Sequence, residues 1–205
     1  MNKKIFSVII GLSCCFSACS DWVDVKTKGS LVPEETENYR YLMNNTENFR
    51  WTLSYHDVAS DDIDISDPAQ QEAIYETNKF IPVYTWADEI YSQSENDTEM
   101  NKVYQVIYNC NVVIDEVMDS KNGTNEEKLE IRAEALVHRA EAYLTLVNVY
   151  GVPYNAATAS TDQGVPLLTT PRVEGALPRA SVEKVYEQIF KDLDDALDRK
   201  STRLN

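Results

Sequence analysis

Residues 98–151 read TEMNKVYQVIYNCNVVIDEVMDSKNGTNEEKLEIRAEALVHRAEAYLTLVNVYG, and this stretch decides the fold. Val103, Ile107, Cys110, Ile114 and Val117 recur at steps of four, three, four and three, which places them on one stripe of a helix. Lys121-Asn122-Gly123 then supplies a stop, because Asn and Gly tolerate the left-handed conformation that ends helices. Thr124 with Glu127 has the spacing of a capping box and opens a second helix. Its face carries Ile131, Ala135, His138, Ala142 and Leu146, widened by Ala133, Leu136, Ala140, Tyr143 and Val147. Gly151 ends it, with Pro153 beyond. So short a connection forces the two helices to run antiparallel and touch. The small alanine face lets the axes approach closely.

Downstream, residues 152–180 carry Gly164, Pro166, Pro171, Gly175 and Pro178 and read as a long loop. Ser181 caps a third helix, whose apolar residues are Val182, Val185, Tyr186, Ile189, Leu193 and Leu197. Upstream, Thr36 is placed to cap a short helix bearing Tyr39, Leu42 and Met43, and residues 50–66 read as extended or loop. Asp67-Pro68-Ala69-Gln70 is a helix start: Asp67 accepts from free amides, Pro68 fits the first turn, and Gln70 completes a box. Residues 80–97 are mixed, with Pro82 breaking regular structure. The expected class is mainly α, built of tetratricopeptide-like helical hairpins with long irregular loops.

The amino terminus has a different character. Lys3 and Lys4 precede the apolar run Ile5 to Leu12, and Ser17-Ala18-Cys19 follows. A basic end, a short apolar core and small residues before a cysteine describe a bacterial lipoprotein leader. Residues 1–18 are read as the signal peptide, Cys19 as the lipidated first residue, 19–33 as the tether and 34–197 as the folded region. The apolar run is shorter than the ~20 residues a spanning helix needs. The last residues, 198–205, leave the acidic amphipathic pattern abruptly and are read as a non-native tail.

With 19 basic residues against 34 acidic ones, the chain carries a formal charge of −15. Such acidity repels nucleic acid and anionic lipid head groups. Membrane contact is therefore expected through acyl chains on Cys19 rather than a basic patch. Cys14 and Cys15 leave with the leader, so Cys110 is the one other cysteine and no internal disulfide forms. Its place on an apolar helix face marks it as a buried, inert thiol.

Nothing in the sequence assembles into catalytic machinery. His56 and His138 lack partners at useful spacing, serine- and cysteine-based triads have no members, and phosphate loops and dinucleotide fingerprints are missing, so neither a catalytic residue nor a cofactor is expected. Asp57, Asp61, Asp62, Asp64 and Asp67 form the densest acidic cluster. Within it Asp62, Asp64 and Asp67 are a weak calcium candidate, because an EF-hand's glycine and twelfth-position glutamate are lacking. Loop solvation and helix capping are the default reading.

Four stretches together resemble the amino-terminal part of the SusD/RagB family of outer-membrane nutrient-binding lipoproteins. They are Cys19-Ser-Asp-Trp22-Val-Asp-Val25; Tyr104 through Asn111 to Ile114; Arg132 through Arg139 and Tyr143 to Val147 with Tyr150-Gly151; and Gly164-Val-Pro166 followed by Pro178-Arg179-Ala-Ser181 and Val185-Tyr186. The resemblance implies a surface-exposed lipoprotein of the cell outer membrane, held by its lipid anchor. It implies capture of an oligosaccharide or peptide, delivered to a SusC-like TonB-dependent transporter without covalent chemistry. Family members are much longer, so the resemblance also implies an amino-terminal portion. For ligand contact the candidates are Trp51, Tyr55, Tyr84, Trp86 and Tyr91, with Tyr75 and Phe80 in the same run, since flat rings match the apolar faces of sugars. The competing expectation is that these rings fill the core between loop and helices. Two other functional readings stand beside this one. One is a helical-repeat scaffold of the cell envelope that binds no small ligand; the other is a surface hydrolase, which lacks a placed acid/base pair.

Overall fold

The computed structural model describes residues 33–49, 55–77, 80–92, 94–171 and 177–201. Cys19 and Trp51 therefore lie outside the described residues, as do the leader, the tether up to residue 32 and residues 202–205. The described elements are α1 (Thr36–Met43), α2 (Thr46–Phe49), α3 (Tyr55–Ala59), α4 (Pro68–Thr77), α5 (Ile81–Tyr84), α6 (Thr98–Glu116), α7 (Asn125–Tyr150), β1 (Gln163–Pro166), β2 (Arg179–Ser181) and α8 (Val182–Ser201). The class is mainly α, as the periodicity requires. No described helix is long and apolar enough to cross a membrane.

The core is the packing of α7 between α6 and α8. Val103, Ile107, Cys110 and Val117 are fully closed to solvent, and Ile131, Ala135, Ala142, Tyr143 and Leu146 meet them from α7. The Thr124–Glu127 capping box forms in both directions. The α6 side differs from expectation: the α-helix stops at Glu116 and continues as a 3-10 turn, Val117–Asp119. Asn122 (φ +59°) and Gly123 (φ +69°) then supply the left-handed step.

That turn is where α1 docks. Glu35 pairs with Lys121 as a parallel bridge, and Thr36 N donates to Lys121 O at 2.9 Å. Thr36 is not the cap of α1; it is the first helical residue, buried, with its hydroxyl 2.7 Å from Ser120 Oγ and donating to Asn122 O at 2.7 Å. The tertiary contact outweighs the local one, since burying this hydroxyl demands partners.

Other local expectations shift in the same way. Residues 55–59 are helical rather than extended, and Pro82 sits in the first turn of α5, where it needs no hydrogen bond. Asp67 caps α4 through Ala69 N (2.8 Å) and Gln70 N (3.1 Å), while the side chain reaching back is Gln71's, to Ile65 O. The 152–180 loop contains the antiparallel pair β1–β2. Ser181 Oγ accepts from Lys184 N at 3.3 Å, as a cap should. On α8, Val182, Val185 and Ile189 are buried, whereas Leu193 and Leu197 are exposed. The buried place one turn after Ile189 is taken by Asp192, paired with Arg139 of α7.

Candidate functional site

The aromatic residues singled out by sequence fall into two groups. The inner group gathers at Asp97, the N-cap of α6. Its Oδ1 accepts from Glu99 N (3.0 Å) and Met100 N (2.9 Å), which satisfies two free amides of the first turn. Tyr55 OH also donates to Oδ1 at 3.2 Å, and Tyr150 OH donates to Oδ2 at 2.7 Å. Tyr55 and Tyr91 share a hydroxyl–hydroxyl hydrogen bond. Tyr55 is buried and meets Phe80 and Tyr150 edge-on, with ring centroids 5.8 and 6.2 Å apart. Burial raises the phenol pKa values of Tyr55, Tyr91 and Tyr150 above the ordinary range; Asp97 adds to this for all three. These phenols stay protonated and act as donors. The inner group thus fixes the loop that joins α3, α5 and α6.

The outer group begins where α5 ends. Tyr84 is half-buried and its hydroxyl accepts from Ile65 N at 3.2 Å. Trp86 N donates to Val83 O (3.2 Å) and Ala87 N to Pro82 O (2.8 Å), the paired bonds of a Schellman cap. The position this motif reserves for a left-handed residue, usually glycine, holds Trp86 at φ +53°. A bulky side chain there costs about 1–2 kcal/mol. Yet Trp86 is 77% exposed and Tyr75, on α4, 76% exposed. Among the described residues, core packing therefore does not explain Trp86. What remains is an indole presented to solvent on a turn that Phe80 anchors through Tyr55.

Asp62, Asp64 and Asp67 are the residues that the sequence offers as a weak calcium candidate. All three are exposed, and no group of three or more His, Cys, Asp or Glu residues among the described ones converges as a metal would need. Asp67 is committed to capping α4. His138 is stacked on Phe49, ring centroids 4.5 Å apart, with Glu141 3.7 Å from Nδ1. Cys110 is buried, and burial pushes its thiol up to about 12. Sequence reading missed Asp97; its signal was present, as an acidic residue directly before a periodic apolar stripe.

Comparison with known proteins agrees with this helical frame. The chain is similar in structure to a SusD superfamily protein from Bacteroides thetaiotaomicron VPI-5482 (TM-score 0.63, 22% identity, covering 80% of this chain and 37% of that one). It is also similar to a putative sugar binding protein from Bacteroides vulgatus ATCC 8482 (TM-score 0.61, 18% identity, 82% and 38%). A SusD-like carbohydrate binding protein from the same organism matches at TM-score 0.54 and 20% identity, covering 80% and 35%. The chain thus spans a little over a third of the length of these solved structures. No curated protein matches it. The SusD-like family described as "starch-binding associating with outer membrane" matches residues 21–201, and the chain belongs to that family.

Proposed function

We propose that this chain is the anchored, amino-terminal part of a cell-surface protein that captures an oligosaccharide and passes it to a TonB-dependent transporter. Cys19 carries the lipid that holds it to the outer membrane. The α6–α7–α8 frame supplies rigidity, and the turn at Trp86 supplies ligand contact. The observation that carries this reading is Trp86 itself, strained and solvent-facing. A wide aromatic ring offered to water has a use when it stacks on the C–H face of a sugar. Backbone strain of this kind persists where function retains it. The family description and the sugar-binding relatives support the ligand class. The protein holds its ligand and does not transform it.

The test is calorimetric titration of the protein and its Trp86→Ala variant with oligosaccharides. At least tenfold weaker binding by the variant, with an unchanged or raised melting temperature, is expected. Undiminished affinity would remove Trp86 from the site. Capture of envelope proteins with no oligosaccharide binding at all would favour the scaffold reading.

A further inference from the structure

We infer that the cleft between the first half of α8 and the turn following α7 binds an organic cation of the alkylammonium class. Tyr154, Tyr186 and Phe190 supply its aromatic walls, and Glu183 and Glu187 its carboxylates. This site and the carbohydrate site at Trp86 do not depend on each other.

The cleft has a volume of about 630 Å³, which suits a small ligand. Tyr154 and Tyr186 meet edge to face, ring centroids 5.2 Å apart and planes at 75°, so the two rings form a corner. Phe190 follows Tyr186 by four residues and lies one turn along the same side of α8. Tyr154 is 55% exposed and Phe190 63% exposed, so among the described residues core packing does not account for either ring. The face of an aromatic ring carries partial negative charge. A cation clothed in methyl or methylene groups meets that charge and covers apolar surface at the same time.

The carboxylates point to the same ligand. Glu183 and Glu187 are four residues apart on α8, where like charges are neighbours and repel. Both are exposed, and neither side chain has an ion-pair partner among the described residues. The helix dipole favours Glu183 in the first turn of α8 but has fallen off by Glu187. A cation seated between the glutamates and the rings relieves their repulsion. A bare divalent metal would need six or more converging oxygens, which three rings cannot supply. A weakly hydrated alkylammonium group needs only the rings and one or two nearby carboxylates.

The corner is built before a ligand arrives. Tyr186 OH donates to Asn148 Oδ1 of α7 at 3.1 Å, which fixes its ring. The turn that carries Tyr154 is tied at both ends. Val152 N donates to Gln163 O (3.2 Å), Val182 N to Asp162 O (3.0 Å) and Glu183 N to Ala159 O (3.0 Å). Rings held in this way lose little freedom on binding.

The experiment is an NMR titration of the full chain with choline, with 3,3-dimethyl-1-butanol as its neutral isostere, and with Nα-acetyl-lysine amide. The variants are Tyr154→Leu and Phe190→Leu, which keep the charge, Glu187→Gln, which removes it, and Glu47→Gln on α2 as a control for bulk acidity. Each is checked for an unchanged melting temperature; Phe190, being exposed, disturbs the fold least. The expected result is saturable binding of a cation, about fivefold or more weaker for the isostere, weakened by both ring variants and by Glu187→Gln, and unchanged in Glu47→Gln. Added salt should weaken it. Choline binding more tightly than the capped lysine assigns the site to a free ammonium compound; the reverse order assigns it to a side chain of a peptide. Equal binding of the neutral isostere overturns the inference. So does a loss confined to Glu187→Gln with both ring variants unaffected, since that is attraction by surface charge without the rings. Failure of both cations to saturate the wild type also overturns it.

Discussion

Arg139 grips Asp192 with two hydrogen bonds, Nε to Oδ2 at 2.8 Å and Nη2 to Oδ1 at 2.6 Å, and both side chains are almost entirely closed to solvent. The pair joins α7 to α8. Arg139 Nη1 adds a bond to Asn111 Oδ1 on α6 (2.7 Å), and Gln188 Nε2 donates to Asp192 Oδ1 (2.7 Å). Three helices therefore share one satisfied polar network, and among the described residues no buried side-chain polar atom lacks a partner. Removing one charge leaves the other buried and alone. Asp192→Leu and Arg139→Met should each destabilise by about 3–5 kcal/mol. The double variant should lose clearly less than the sum. Urea unfolding of the four proteins measures this; additive losses would show that the pair is not coupled.

The docking of α1 on the α6–α7 turn depends on Gly123. A Cβ placed there would lie 2.7 Å from the Thr36 side chain, and the backbone is already at φ +69°. Gly123→Ala should therefore cost more than the ~1 kcal/mol that the backbone conformation alone would charge, because Thr36 must also move. Thermal melting of Gly123→Ala beside Thr36→Ser checks this, the second variant giving part of the clearance back when combined with the first. A neutral Gly123→Ala would mean that α1 is not seated as described.

Alkali should unfold the protein. Burial holds the Cys110 thiol at about 12 against an ordinary 9.0. It likewise raises the Tyr39, Tyr104, Tyr143 and Tyr150 phenols above 10.0. Between those limits the unfolded chain has released protons that the folded one keeps. This contribution is thus complete below about pH 9 and is lost as pH rises above it. Melting temperature followed from pH 7 to pH 11 should fall progressively above pH 9. Cys110→Ala should soften the onset. A flat profile would show that these groups are not closed off.

Cys19→Ala should abolish membrane retention, because the acyl chains have no other attachment point in this reading. Fractionation of cells expressing the variant decides it: a soluble, unacylated product is expected. A variant still acylated and membrane-bound would move the anchor elsewhere.

Most of the frame was legible because its signals are local. The 3.6-residue stripe from Val103 to Val117, the Thr124–Glu127 box and the Gly151 stop each follow from a few neighbouring residues. What escaped depends on distant partners. Thr36 reads as a cap until Ser120 and Asn122 are seen to claim its hydroxyl. Asp192 sits at core spacing after Ile189, yet its charge argues for solvent until Arg139 is found across the helix pair. Leu193 and Leu197 continue the apolar spacing of α8 after Ile189, yet both are exposed. For the aromatic run, sequence could name the rings but not sort them. Tyr55 and Tyr91 turn inward because Asp97 and the Tyr150 ring receive them, whereas Trp86 is turned out by a backbone conformation that no spacing encodes.

The central claim is that this protein holds a carbohydrate and leaves it intact. Equilibrium dialysis of the purified protein against a maltoheptaose, xyloheptaose and mannoheptaose mixture, followed by chromatography of the recovered sugars, addresses it directly. Saturable retention of at least one sugar, recovered at its original length after prolonged incubation, is the predicted result. Shortened products, or no retention of any sugar at millimolar concentration, would contradict it.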